Sequence, residues 1–287
     1  MRLIQCFFIL LFTGLISNCG FVQTAYNNAP QALSWWLDDY FDFSQSQQSA
    51  LNRALNRLHD WHRQNELPRY IATLEDLQSS IAKAQISTSE VCEKTENIKA
   101  LFGQLQLESI PIIVDIAPLL SDKQLQYFQT KLDKRAKKWK SEWWQDTPDA
   151  QIEMRLEKIE SFSEKLYGDL SESQQVLLKQ NLTKTPINPA LSYAEILRRN
   201  TDAYDIIYAL NKQATSTESK EKLVKAGFER LKNSPNPEYQ AYANQIVQRT
   251  CEIFADLHNS SNAKQKKHAN DWLENYITEF TLLSTVK

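Results

Sequence analysis

The chain has 287 residues, with 33 basic and 35 acidic side chains for a formal charge of −2, and only five glycines, about a quarter of the usual ~7% share. That length supports one large domain or two modest ones with a buried core, and the near balance of charge gives no overall attraction to nucleic acid. None of Gly14, Gly20, Gly103, Gly168 and Gly227 opens a GxGxxG or GxxxxGK[ST] run, which argues against a Rossmann or P-loop nucleotide enzyme.

Arg2 precedes an apolar stretch from Leu3 to Ile16, broken only by Gln5, Thr13 and Gly14. A spanning helix needs about 20 apolar residues, so this stretch suits the core of a secretory signal. It ends Leu15-Ile16-Ser17-Asn18-Cys19-Gly20. That run resembles the lipobox of bacterial lipoproteins, although Asn18 departs from the small residue usual before the cysteine. The resemblance implies a signal peptide over 1–18, diacylglycerol on Cys19 as the membrane attachment, and, from Gly20, sorting to the inner leaflet of the outer membrane, facing the periplasm. An ordinary secretory signal or an uncleaved anchor is the alternative. Cys92 and Cys251 then remain, in a compartment that permits disulfides. They are either one long-range crosslink or two separate buried thiols. No CxxC pattern supports a redox or zinc motif.

Beyond residue 19 the sequence is rich in Leu, Ala, Gln, Glu and Lys and is punctuated by proline. Apolar periodicity predicts helices over 32–42, 45–66, 69–85, 88–117, 122–145, 149–167, 172–184, 190–213, 217–232, 236–258 and 262–284. The expected fold is all-α, a multi-helix bundle of about nine to eleven amphipathic helices in one domain over 19–287. Pro68 and Pro111 fall within periodic stretches and should break or kink them.

Several of these helices open alike. Phe43-Ser44-Gln45-Ser46-Gln47, Leu120-Ser121-Asp122-Lys123-Gln124 and Leu170-Ser171-Glu172-Ser173-Gln174 share apolar-Ser-x-x-Gln, and Asn262 with Gln265 forms a weaker fourth copy. This is a capping box: the hydroxyl accepts from a first-turn amide while the glutamine returns to the cap's own N–H. Four and eight residues past each glutamine stand Leu51 and Leu55, Phe128 and Leu132, Leu178 and Leu182, Ala269 and Leu273. Each copy therefore opens an amphipathic helix with the same stripe. The copies are irregularly spaced, so no solenoid is predicted.

The motif is similar to the LTxxQ signature of periplasmic helical-hairpin stress proteins, over short segments only. Tyr26-Asn27-Asn28-Ala29-Pro30, the run Trp35-Trp36-Leu37-Asp38-Asp39-Tyr40-Phe41-Asp42-Phe43, and Tyr193 to Leu210 with its Leu197-Arg198-Arg199 core resemble an uncharacterised family of proteobacterial helical lipoproteins. That resemblance implies a lipid-anchored, all-helical periplasmic protein and brings no activity with it.

Candidate chemistry is sparse. His59, His62 and Glu66 have i, i+3, i+7 spacing and could present a metal, but His62 aligns with Leu51, Leu55 and Leu58 on the core face, which favours a packed histidine. Asp38, Asp39 and Asp42 lie beside Trp35, Trp36 and Tyr40; they serve either acid/base work or helix capping, and no second acidic cluster partners them. Lys131 to Lys140 holds six basic residues before Trp143 and Trp144. Leu132, Ala136, Trp139 and Trp143 share one face, leaving the basic residues on the other, where they are solvated or meet anionic headgroups. No catalytic residue, metal or cofactor is assigned. The expected function is a non-enzymatic scaffold, chaperone-like or envelope-stress interaction protein with an unidentified protein partner. Its contact surface would centre on Trp35, Trp36, Asp38, Asp39, Trp143 and Trp144. The alternatives are an envelope hydrolase acting on peptidoglycan or glycan, and a metal-responsive sensor.

Overall fold

Capping decides where the helices begin. In the computed structural model, which describes residues 20–214 and 216–285, Ser44, Ser121 and Ser171 are extended, and each accepts from the amide three residues on while the glutamine there closes a full capping box. Asn262 and Gln265 make the same reciprocal pair at 3.0 Å in both directions. Proline does the same work elsewhere, standing in the first turn before Trp35 (Pro30), after Glu66 (Pro68), and at Pro148, Pro189 and Pro237, where its missing N–H costs nothing.

Among the described residues there are twelve α-helices: α1 (Phe21–Asn27), α2 (Ala29–Phe41), α3 (Gln45–Asn65), α4 (Leu67–Ile81), α5 (Thr88–Ile116), α6 (Asp122–Trp143), α7 (Pro148–Tyr167), α8 (Glu172–Thr183), α9 (Pro189–Lys212), α10 (Thr217–Lys232), α11 (Pro237–Ser260) and α12 (Ala263–Thr285), with a 3-10 turn over Ala117–Leu119. No strand is present among them. The all-α class holds, but the expected nine to eleven helices is too few. The extra one is α1, a short helix whose sequence carries no amphipathic stripe long enough to register. Pro68 breaks the chain between α3 and α4 as expected, whereas Pro111 is accommodated inside α5. The signal segment 1–18 and Cys19 lie outside the described residues.

The four capping glutamines meet in two pairs. Gln124 Nε2 donates to Gln47 Oε1 at 2.8 Å and Gln47 Nε2 returns to Gln124 Oε1 at 3.2 Å. Gln265 and Gln174 do the same at 2.8 and 3.1 Å. Each Nε2 also donates to the carbonyl two residues before its partner's cap: Leu119, Asp42, Ser260 and Asp169. Each Oε1 also accepts its own cap's N–H. Two donors and two acceptor lone pairs are thus filled on every amide, as a buried primary amide requires.

This pairing repeats an arrangement of helices. In the first unit α2 packs on α3 and α6, and α3 packs on α5; in the second α7 packs on α8 and α12, and α8 packs on α11. The stripes behind the motifs line the core, with Leu51 and Leu55 packed on Ile116 of α5. Leu178, Leu182, Ala269 and Leu273 are all at most 3% exposed and join Leu156, Ile253 and Leu257. Phe128 joins Tyr40, Phe41, Leu120 and Leu125, with Leu132 at its margin. The units are joined by α4 against α12, by α5 against α11, and by the Cys92–Cys251 disulfide between α5 and α11, Cα atoms 5.3 Å apart. α9 covers α6 and the 3-10 turn, and α10 covers α5 and α9. Helix α5 with its 3-10 extension is long and apolar enough to cross a membrane by length and composition; here Ile110, Val114 and Ile116 pack on α3, α9 and α10 residues instead.

Candidate functional site

The turn from α2 to α3 places the acidic cluster. Asp42 closes α2 in the left-handed region at φ 51°, a conformation that aspartate tolerates better than most side chains. Its carbonyl receives Gln124 Nε2 at 2.9 Å. Asp38 Oδ1 accepts the Phe43 amide at 2.9 Å, and Asp39 pairs with Lys131 Nζ at 2.5 Å. The Asp38 carboxylate and the Asp42 backbone therefore build the turn, and the Asp39 carboxylate and the Asp42 carbonyl tie α2 to α6. An open cavity of about 570 Å3 lies at the Gln47–Gln124 pair, and Asp42 is its one acidic lining residue, with Lys123 also in the lining. Two opposed carboxylates, which glycosidic hydrolysis needs, are not assembled there.

The four tryptophans do not converge into one groove. Trp35 is 66% exposed, and Gln31 and Asp39, one turn away on either side, are exposed with it. Trp36 turns inward; its ring lies 4.9 Å from that of Tyr40, and the Arg135 guanidinium stands over both rings at 5.8 and 5.0 Å. Trp143 and Trp144 lie at the far end of α6, half-buried in a second cluster. Trp139 stacks against Trp143 and Tyr193, Trp144 meets Tyr193 edge-on, Lys158 covers Trp143 at 4.7 Å, and Lys140 covers Trp144 at 4.7 Å. This shelf joins α6, α7 and α9. The expected groove is thus replaced by an outward Trp35 row and a separate, lysine-capped aromatic shelf, because α6's apolar stripe runs past the point where α2 stops covering it.

The histidines are tied to the N-terminal helix. His62, 4% exposed, bonds Tyr26 Oη through Nδ1 at 2.9 Å, and His59 Nε2 meets the Tyr26 carbonyl at 3.0 Å. Glu66, 1% exposed, takes Arg69 at 2.6 Å. Among the described residues no three His, Cys, Asp or Glu side chains are grouped to hold a metal ion. Burial draws His62 down to about 4, with His59 adding to the effect, and burial also pushes the Tyr26 and Tyr70 hydroxyls up. Both histidines thus strap α1 onto α3, together with Arg63, which reaches Asn27 Oδ1 at 2.6 Å and the Leu283 carbonyl.

A buried ion network went unassigned in the sequence. Glu195, 3% exposed, accepts from Arg198, Arg199 and Ser234, and Asp202 accepts from Arg230. Burial would raise the Glu195 carboxyl, but the three hydrogen bonds hold it below the ordinary range. The i, i+3, i+4 spacing of Glu195, Arg198 and Arg199 was the available signal; the reach of Asp202 to Arg230 on α10 had none. The network clamps α9 to α10 and to the loop that carries Ser234.

A family of unknown function, DUF6279, matches residues 39–223. The chain belongs to DUF6279. The match begins at Asp39 in the α2 turn and ends within α10, so it takes in the first glutamine pair, the aromatic shelf and most of the Glu195 network. No curated protein and no solved structure matches the chain. Membership of DUF6279 carries no activity, substrate or partner with it.

Proposed function

We propose that this DUF6279 protein is a lipid-tethered, non-enzymatic scaffold of the bacterial envelope, held by Cys19 in the inner leaflet of the outer membrane, that works by contact in the periplasm. One observation carries the reading. The side chains best suited to chemistry are spent on structure, Asp38 and Asp39 in the α2 turn and His59 and His62 on Tyr26. Trp35 meanwhile stands exposed, and the half-buried Trp143 and Trp144 lie under Lys158 and Lys140 at the edge of the fold. Exposed and partly exposed aromatic side chains flanked by cations are the usual material of binding surfaces. The signal-like stretch from Leu3 to Ile16 and the run Ser17-Asn18-Cys19-Gly20 support the tether.

Two measurements test the two halves of this proposal. An alkyne fatty acid fed to producing cells should label the wild type and spare Cys19→Ala; equal labelling, or none, removes the tether. A photoreactive residue at position 144 should give protein adducts in intact cells that the same residue at position 176, an exposed apolar site on α8, does not. Identical adduct patterns at both positions would remove the contact surface.

A further inference from the structure

We infer that the outward face shared by α2 and α6 rests on a bilayer surface rich in anionic phospholipid. This deepens the scaffold reading and rests on it for the presence of a membrane.

Charge is concentrated on this face. Helix α6 carries seven basic against three acidic side chains in a chain whose formal charge is −2. Lys123, Tyr127, Lys134 and Lys138 follow one another at spacings of four, seven and four, a single row along the helix, with Lys131 and Lys137 on its flanks. Lys123, Lys134, Lys137 and Lys138 are exposed, and among the described residues Lys123, Lys134 and Lys137 make no ion pair. From Lys123 to Lys138 the row is about 22 Å long. The opposite side of the same helix is core: Leu125, Phe128 and Ala136 are at most 7% exposed. The lysines therefore have one direction in which to act.

The second observation lies on the neighbouring helix. Asp39 of α2 binds Lys131, and Arg135 covers Trp36 and Tyr40, so α2 and α6 run side by side at this face. One turn from Asp39, on the same outward row, stands Trp35 at 66% exposure. A row of lysines beside an outward indole is the chemistry of an interfacial contact. Ammonium groups on long apolar stems meet headgroup phosphates, and the indole sits at the level of the headgroups. The cavity at the Gln47–Gln124 pair lies at the end of the row, by Lys123, and not along it. An extended anionic plane satisfies separate charges spread along a helix, where a compact ligand would meet only one or two of them.

The test uses the full chain purified from membranes with its own anchor and reconstituted on vesicles, either purely zwitterionic or about one-third anionic. Amine acylation is followed residue by residue. On anionic vesicles, labelling of Lys134, Lys137 and Lys138 should fall about fivefold relative to zwitterionic vesicles, while Lys225 and Lys264, exposed on α10 and α12, are unchanged. Salt at about 0.5 M should restore the labelling. Lys123, exposed at the end of the same row, should be protected with these three; replacing Lys134, Lys137 and Lys138 by glutamine, with helix content checked by circular dichroism, should abolish the protection of Lys123, and Trp35→Ser should weaken that of all four lysines. Equal labelling on both vesicle types overturns the inference, as does protection without vesicles, which would mean that a second copy covers the face. Flotation separates the two readings. Protein that floats with both vesicle types but labels equally keeps the tether and loses this face. Protein that floats only with anionic vesicles keeps the face and loses the tether, and protein that floats with neither loses both.

Discussion

His62 lies between Tyr26 Oη and the edge of the Tyr70 ring, 5.1 Å between ring centroids, and its burial holds it near 4 against an ordinary 6.5. A folded value below the unfolded one means that the unfolded chain binds the extra proton. The stabilisation from a neutral His62 is therefore complete above about pH 6.5 and is lost as pH falls towards 4, by on the order of 2 kcal/mol at about pH 5. Chemical denaturation at about pH 7.5 and pH 5 should show this fall, and His62→Phe should remove much of it. His59 and His258 are also lowered, chiefly by burial, so they slope the same way and the variant retains part of the dependence. If the wild type and His62→Phe lose equal stability over that range, His62 is not the residue that carries it.

At the scale of the element, each motif helix is fixed at its first turn by a partner far away in sequence. Removing Gln124 takes the acceptor from the Ser121 amide, the donor from the Asp42 carbonyl, and half of the exchange with Gln47. Gln124→Ala should cost about 2–4 kcal/mol in urea denaturation, while Gln126→Ala, exposed one turn-half away on the same helix, stays within about 0.5 kcal/mol. The double variant Gln47→Ala, Gln124→Ala should cost clearly less than the sum of the single changes, because the first already orphans the second. Additive costs would mean that the two amides act as separate caps. The capping boxes were legible in the sequence because a cap is a local device, three residues from hydroxyl to amide. The pairing of Gln47 with Gln124 and of Gln174 with Gln265 was not, because repeated motifs do not state which copies meet.

For the whole molecule, the two glutamine-locked units are held together by α4 on α12 and by the crosslink of α5 to α11. Cys92 and Cys251 are 159 residues apart, and closing a loop of that order restricts the unfolded chain by about 4–5 kcal/mol. Cys92→Ser with Cys251→Ser, or reduction before heating, should therefore lower the midpoint of thermal unfolding by many degrees while leaving helix content below the transition unchanged. A midpoint that does not move under reduction would show that α4 on α12 alone carries the association of the units.

The sequence by itself determined that this chain is helical, where most helices begin and which faces are apolar. These follow from proline and glycine placement, capping residues and a 3.6-residue period, all set within a few positions of each residue. Only the tertiary structure decided the glutamine pairs, the inward turn of Trp36 beside the outward Trp35, the strapping of α1 by His59 and His62, and the reach of Arg230 to Asp202. The reason is physical: helix formation and capping are local free energies, whereas burial and amide pairing depend on which of several equivalent apolar stripes pack together, and four nearly identical motifs leave that choice to the packing of the whole chain.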